Sequence, residues 1–280
     1  MISIMPKARP LTAFKYYSIP DIDVIVPLAL KDIDTVDLSV YAAKKNLINK
    51  VTAIKIIYSD VATLEKIQHL SSIKIYENEF LGIRINEALS KISDMKKRGW
   101  IKQQVIKFKG VLDSEREASF ILDSDTILLE PRIPIILRKD KGFLQELNIS
   151  HEYYKPYLSF SETYLGMQIR SPFHYICHFQ LMQKKILREI FPNGDSSLVY
   201  MIEMLNSFET LDALSEYQIY GCYLKGRHIK NLAFGKWNNV SSSDLPKLSE
   251  TLGIEAYYKI VKDKFQYYDS VSFHGYLRNG

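Results

Sequence analysis

The stretch Phe120 to Pro131, F-I-L-D-S-D-T-I-L-L-E-P, constrains the fold of this chain more than any other. Two apolar triplets, Phe120-Ile121-Leu122 and Ile127-Leu128-Leu129, flank Asp123-Ser124-Asp125. A short apolar run bounded by polar residues predicts a fully buried strand rather than a half-exposed one. The chain then leaves the core carrying two carboxylates separated by one residue. Like charges held close disfavour joint ionisation unless a cation sits with them. A divalent metal carrying a diphosphate would satisfy both, since Mg²⁺ takes one or two protein carboxylates together with phosphate oxygens and water. A D-x-D triplet is equally at home in solvated turns and helix caps, so its meaning depends on the rest of the chain.

The preceding residues read as alternating strands and helices. Pro6, Pro10 and Pro20 punctuate an irregular leader over residues 1–20. Asp23-Val24-Ile25-Val26-Pro27 predicts a buried strand ended by proline, with β-branched Val24 and Val26. A loop containing Lys31, Asp32 and Asp34 follows, then a helix over 35–48 with Val36, Val40, Ala43 and Leu47 on one face. Val51 to Tyr58 predicts a second strand, Leu64 to Leu70 a short helix, and Ile73 to Tyr76 a third strand. That order is the mark of a parallel sheet covered by helices. Ile85 to Lys97 predicts a helix that Gly99 interrupts, and Trp100 to Lys109 resumes it. Trp100, Ile101, Val105 and Phe108 share one face of it, and Gln103 and Lys107 lie four apart on another. A helix immediately before the D-x-D strand sets its side chains beside the crevice outside the carboxyl end of the sheet.

Beyond Pro131 the pattern weakens. Arg132 to Arg138 predicts a strand, and Leu158 to Gly166 is polar and aromatic. Ser171-Pro172 predicts the start of a helix running to about Ile190. Pro192 to Asp195 is a turn, and Ser196 to Ser207 another helix. Leu214 to Leu224 follows, with Ser215-Glu216 at a helix boundary, and a less regular segment runs from His228 onward. No linker is visible. The expectation is one α/β domain over 1–280, with a half at about 21–131 that binds the nucleotide-sugar and an acceptor-facing half at about 132–280.

Composition narrows the function. Apolar residues make up 46% of 280, enough for a large core. The net charge of +5 comes with no long basic block, which argues against nucleic acid. A mildly basic surface could still bind an anionic donor or an anionic membrane. The two cysteines, Cys177 and Cys222, lack metal or redox spacing, and free thiols fit a reducing cytoplasm. No secretory signal and no run of about 20 apolar residues is visible.

Several stretches resemble a bacterial group of GT-A-type glycosyltransferases found among polysaccharide-synthesis genes. They are D-V-I-V-P with Lys31-Asp32, G-W-I-K-Q-Q-V-I-K-F at 99–108, F-I-L-D-S-D-T-I-L-L-E-P, and S-E-Y-Q-I-Y-G at 215–221, with a weaker match around His178. The resemblance implies a Rossmann-type mixed, mainly parallel sheet flanked by helices. It implies a nucleotide-sugar donor, with a UDP-sugar favoured, and Mn²⁺ or Mg²⁺. It implies transfer to a hydroxyl of a glycan or lipid-linked glycan, in the cytoplasm or at the inner face of the membrane. Asp125 would contact the metal, and Asp123 the metal or the ribose. His274 would close over the same ion. Lys107 would pair with a donor phosphate, and the amides of Gln103 and Gln104 suit nucleotide or sugar recognition. Pro27, Lys31 and Asp32 occupy the loop where a base would sit, although Asp32 could equally cap the next helix. Glu216 would be the general base of an inverting transfer. His178 and Tyr217 would face the acceptor.

His174 and His178, four apart on the expected helix, lack the glutamate of a zinc protease. Tyr257-Tyr258 and Tyr267-Tyr268 could line an acceptor groove or simply pack. Two other classes stay open. A haloacid-dehalogenase-like phosphotransferase would also carry D-x-D after a strand, and Thr126 suits it, but no downstream acidic pair is apparent. A non-catalytic glycan-binding protein would use the tyrosines.

Overall fold

The computed structural model describes residues 17–138, 142–150, 154–169, 174–208, 210–243, 245 and 253–274. The strands among them are β1 (Tyr17–Ser18), β2 (Ile22–Leu28), β3 (Val51–Tyr58), β4 (Ile73–Tyr76), β5 (Ala118–Leu122), β6 (Thr126–Leu128), β7 (Ile135–Arg138), β8 (Gly142–Ile149), β9 (Phe179–Gln183), β10 (Leu232–Lys236), β11 (Asn239–Ser241) and β12 (Ser270–Ser272). The helices are α1 (Ile33–Asn46), α2 (Val61–Ile67), α3 (Glu77–Ser90), α4 (Met95–Leu112), α5 (Lys155–Leu165), α6 (Lys184–Ile190), α7 (Asp195–Asn206), α8 (Glu216–Arg227) and α9 (Ile254–Lys264).

The central sheet runs β4-β3-β2-β5-β9. All its pairings are parallel except β5 with β9. Successive side chains of a strand point to opposite faces, and here each face has its own core. Val24, Val26, Phe120, Leu122 and Leu181 pack with α1 and α9. Ile25, Ile121 and Met182 pack with α3, α4, α7 and α8. Both faces are covered, so β2 and β5 are buried along their whole length. The expected mixed, mainly parallel sheet flanked by helices is what the chain adopts.

Two smaller sheets attach to it, β1-β7-β8-β10 and β11-β12-β6. In the second, β12 pairs antiparallel with β6, Val271 opposite Ile127. The strand following the D-x-D triplet is therefore tied to a segment some 145 residues later. The two apolar triplets of the opening stretch enter different sheets, and the acidic turn lies at the junction between them.

Several boundaries differ from the sequence expectation. Gly99 lies inside α4, and the break falls at 91–94, where the Asp94 side chain accepts from the backbone N–H groups of Lys96 and Lys97. A helical glycine weakens a helix by only about 1 kcal/mol, and the buried face of Ile101, Val105 and Phe108 outweighs that. The helix before it begins at Glu77, with a kink at Gly82, whose φ is +73°. Pro27 lies within β2 rather than ending it. The expected helix over 171–190 is not formed in its described part. Tyr175 to His178 is irregular, β9 follows, and only α6 is helical. Residues 170–173, with the expected Ser171-Pro172 start, lie outside the described residues, as do 1–16 of the expected leader. The sequence reading passed over β8 and α5.

Candidate functional site

A cleft of about 430 Å³ opens at the C-terminal ends of β2 and β5. That is where an open α/β sheet offers loops and helix ends to a ligand. Pro27, Lys31 and Asp32 line one side of it, and Gln103 and Lys107 of α4 another. Asp123, Ser124 and Asp125 lie at its floor, with His178 and His274 beside them. A larger depression of about 640 Å³ lies at the other end of β3, around Val51 to Ile54, and gathers no comparable set of titratable groups.

The D-x-D turn is rigid. Asp123 N–H donates to the His178 carbonyl (2.9 Å), and Thr126 N–H to the Asp123 carbonyl (3.0 Å). Ser39 and Thr35 of α1 donate their hydroxyls to the Ser124 carbonyl at 2.8 and 3.2 Å. Phe273 N–H donates to the Asp125 carbonyl at 2.8 Å. Both carboxylates are thereby held at fixed positions.

Asp123 is neutralised by the protein. Lys107 Nζ stands 2.5 Å from Asp123 Oδ1 and 2.7 Å from Glu216 Oε1. Tyr217 donates its hydroxyl to Asp123 Oδ1 at 3.2 Å, and His178 Nδ1 lies 3.2 Å from Oδ2. Burial raises the Asp123 pKa, but the Lys107 charge and the His178 contact overcome it, so the carboxyl titrates well below its usual range. Burial opposes charge on His178 too, and Asp123 outweighs it, raising the imidazole pKa. Burial holds Glu216 above the usual carboxylate range despite Lys107.

Asp125 has different neighbours. Its Oδ2 lies 2.9 Å from His274 Nδ1, and Oδ1 accepts from the Thr126 hydroxyl at 3.2 Å. Burial raises its pKa, but the hydrogen bond with His274 and the nearby imidazoles bring it below the ordinary value. Asp32, only 3% exposed, faces the same region. The Ser124 hydroxyl donates to its Oδ2 at 3.2 Å, and its Oδ1 is buried without a hydrogen-bond partner. Burial and then the Asp125 charge push the Asp32 carboxyl up to about 6.

Among the described residues, no group of three or more His, Cys, Asp and Glu side chains is gathered as a ready metal-ligand set. Asp125 and His274 nevertheless suit an ion that takes few protein ligands. Asp125 Oδ2 and His274 Nδ1 are joined by a hydrogen bond of 2.9 Å, and an ion would take these two atoms in place of the proton they share. The unpartnered Asp32 oxygen beside them adds to the negative potential.

Most of the residues singled out from the sequence meet in this cleft: Pro27, Lys31, Asp32, Gln103, Lys107, Asp123, Asp125, His178 and His274. Three lie behind its wall. Gln104 is buried, its side-chain amide donating to the Trp100 carbonyl at 3.3 Å. Glu216 is 2% exposed and reaches Lys107 from behind, and Tyr217 does the same for Asp123. Of the two readings open for Tyr257 and Tyr258, packing is the one they take, since α9 buries both in the core with α1. Sequence reasoning missed Tyr157 and Ser241 as cleft residues, and it read Trp100 as core alone although that side chain also lines the cleft. The i, i+3, i+7 spacing of Trp100, Gln103 and Lys107 on α4 is the signal that would have found Trp100.

The fold and cleft define a mixed α/β protein with an acidic, lysine-anchored site at the carboxyl edge of its sheet. No protein-family model and no curated protein sequence matches the chain. Among solved structures it is similar to the PaToxG glycosyltransferase, with a TM-score of 0.42 and 12% identity over 75% of this chain and 70% of that one. Among the described residues no helix is long and apolar enough to cross a membrane.

Proposed function

We propose that the protein is a metal-dependent glycosyltransferase. It would move a sugar from a nucleotide-sugar donor, a UDP-sugar favoured, to a hydroxyl of a glycan or lipid-linked glycan, at or near the inner face of a membrane. The observation that carries this is the meeting of Asp125, His274, Asp123 and Lys107 in one cleft at the carboxyl edge of the parallel strands. Asp125 and His274 would hold Mn²⁺ or Mg²⁺. When bound, the ion would supply Lewis-acid neutralisation of charge on the departing diphosphate. Lys107 contributes a fixed positive charge on the same floor, and preorganised charges of that kind act without reorganising during reaction.

Glu216, expected as the general base, has a better-supported role behind Lys107. It keeps that lysine charged and aimed, and Tyr217 holds Asp123 in the same way. His178 is then the titratable side chain on the acceptor side. Pro27, Lys31 and Asp32 remain the candidates for the base-binding edge, with Gln103 beside them.

The test is sugar-nucleotide hydrolysis and transfer across UDP-, GDP-, CMP- and dTDP-sugars, with and without Mn²⁺. Turnover should require the metal and should be lost in Asp125→Ala. Wild-type turnover by that variant would remove the proposed site.

A further inference from the structure

We infer that Trp100 and Tyr157 form the subsite that receives a sugar ring of the acceptor, an assignment that rests on the glycosyl-transfer reading above. The two rings belong to α4 and α5, far apart in sequence, yet they stack with centroids 6.0 Å apart and planes 16° from parallel. Both line the cleft. Tyr154 meets Tyr157 edge-on at 4.7 Å and is 38% exposed, so the aromatic wall continues out to solvent.

Position on the helix decides which part of a ligand meets this wall. Trp100, Gln103 and Lys107 form one stripe along α4. At 1.5 Å per residue, Trp100 lies about 10 Å along the axis from Lys107. On the glycosyl-transfer reading, the donor diphosphate and the ring joined to it would occupy that interval. The wall therefore meets the next ring out. The end of β2, with Lys31 and Asp32, lies on another side of the cleft and is left to the nucleoside.

The chemistry suits a saccharide. Trp100 packs against the core while lining the cleft, which backs the wall with the body of the protein. Aromatic faces carry negative potential that favours the C–H face of a sugar. The Gln103 amide, one turn further in, can both donate to and accept from hydroxyl groups.

The experiment titrates the full chain with maltose, cellobiose, lactose and N,N′-diacetylchitobiose, and separately with UDP plus Mn²⁺, by calorimetry and tryptophan emission. At least one disaccharide should bind and alter the emission. Trp100→Ala and Tyr157→Ala should weaken it tenfold or more. Trp100→Phe should keep affinity within a few-fold and lose most of the emission change. UDP–Mn²⁺ affinity should stay within twofold in all three variants. Binding of no disaccharide, or binding indifferent to both alanine variants, overturns the assignment. A protein that binds a disaccharide through this wall but shows no metal-dependent UDP affinity overturns the glycosyl-transfer reading instead.

Discussion

Asp123 and Asp125 are two residues apart and live in opposite surroundings. Asp123 shares a buried lysine with Glu216 and has an imidazole and a phenol on its oxygens. Asp125 has one imidazole, and its acidic neighbour Asp32 has an oxygen with no partner. The first side carries its own cation. The second gathers negative charge without a full counter-charge. A stretch of sequence that looks symmetric is thus a finished ion cluster on one side and a less balanced acidic pair on the other. The asymmetry comes from what each side chain meets: α4 and α8 at Asp123, and the β12 segment with the turn before α1 at Asp125.

The sharpest way to break this contrast is to remove the cation of the finished side. Lys107→Met leaves Glu216 buried without its cation and Asp123 with only His178 and Tyr217, and breaking such a buried pair costs about 3–5 kcal/mol. Urea unfolding should show that loss. Adding Glu216→Gln to the variant should recover part of it, since residues in one network do not act additively. An additive double variant would mean that the two groups are not coupled.

Asp125→Asn should leave stability within about 1 kcal/mol, because relief of the like-charge contact with Asp32 offsets the weakened pairing with His274. Transfer should fall 100-fold or more, equivalent to about 2.7 kcal/mol of barrier. Metal-dependent UDP binding by calorimetry should vanish with it.

A third effect follows from Asp32. Its carboxyl titrates near 6 in the folded chain, against about 3.9 when unfolded. Between those values the folded state holds the extra proton, so stability falls as pH rises from about 4 to about 6, by up to about 2–3 kcal/mol. The lowered Asp123 acts in another window, its contribution being lost only as pH drops below about 4. Asp32→Asn should flatten the slope between pH 4 and 6, and saturating Mn²⁺ should flatten it in the wild type. An unchanged slope in the variant would assign it to another group.

The smallest effect is a control on α4. A Cβ on Gly99 would meet nothing within 4 Å, so Gly99→Ala should stabilise by about 0.5–1 kcal/mol and leave both carboxylates untouched. Gly110 on the same helix is the counter-example. A Cβ there would come within 2.7 Å of Ile25 Cγ2, so α4 lies closely on β2 only because that residue is glycine.

The first part of the fold was legible because β2 and β5 are buried on both faces and α2 and α4 are capped by Asp60 and Asp94. β3 and β4 fall where their apolar runs lie, and α1 begins two residues early. The second part hid its strands because its polar residues are not on the surface. In β9, Gln180 and Gln183 are buried in an amide network with Gln145, Asn148 and the Tyr220 hydroxyl. Polar letters inside a core mimic the exposed face of a helix, and F-Q-L-M-Q-K-K-I-L was read that way. The site was legible where chemistry is local, as in Asp123, Asp125 and the Gln103–Lys107 spacing. The place of Glu216 was not legible, because a sequence does not reveal that Lys107 stands between it and the cleft. Tyr157 was missed because α5 had no signal of its own.

One consequence concerns the order in which the chain is made. His274 reaches Asp125 across 149 residues, and the same segment supplies the strand that pairs with β6. Lys107 and Asp123 leave the ribosome almost together, while Asp125 waits 149 further residues for its imidazole. A growing polypeptide would therefore possess its lysine-held anchor long before Asp125 gains its partner. Ribosome-bound intermediates ending short of that histidine should hold the Lys107–Asp123 pair and lack the Asp125–His274 one.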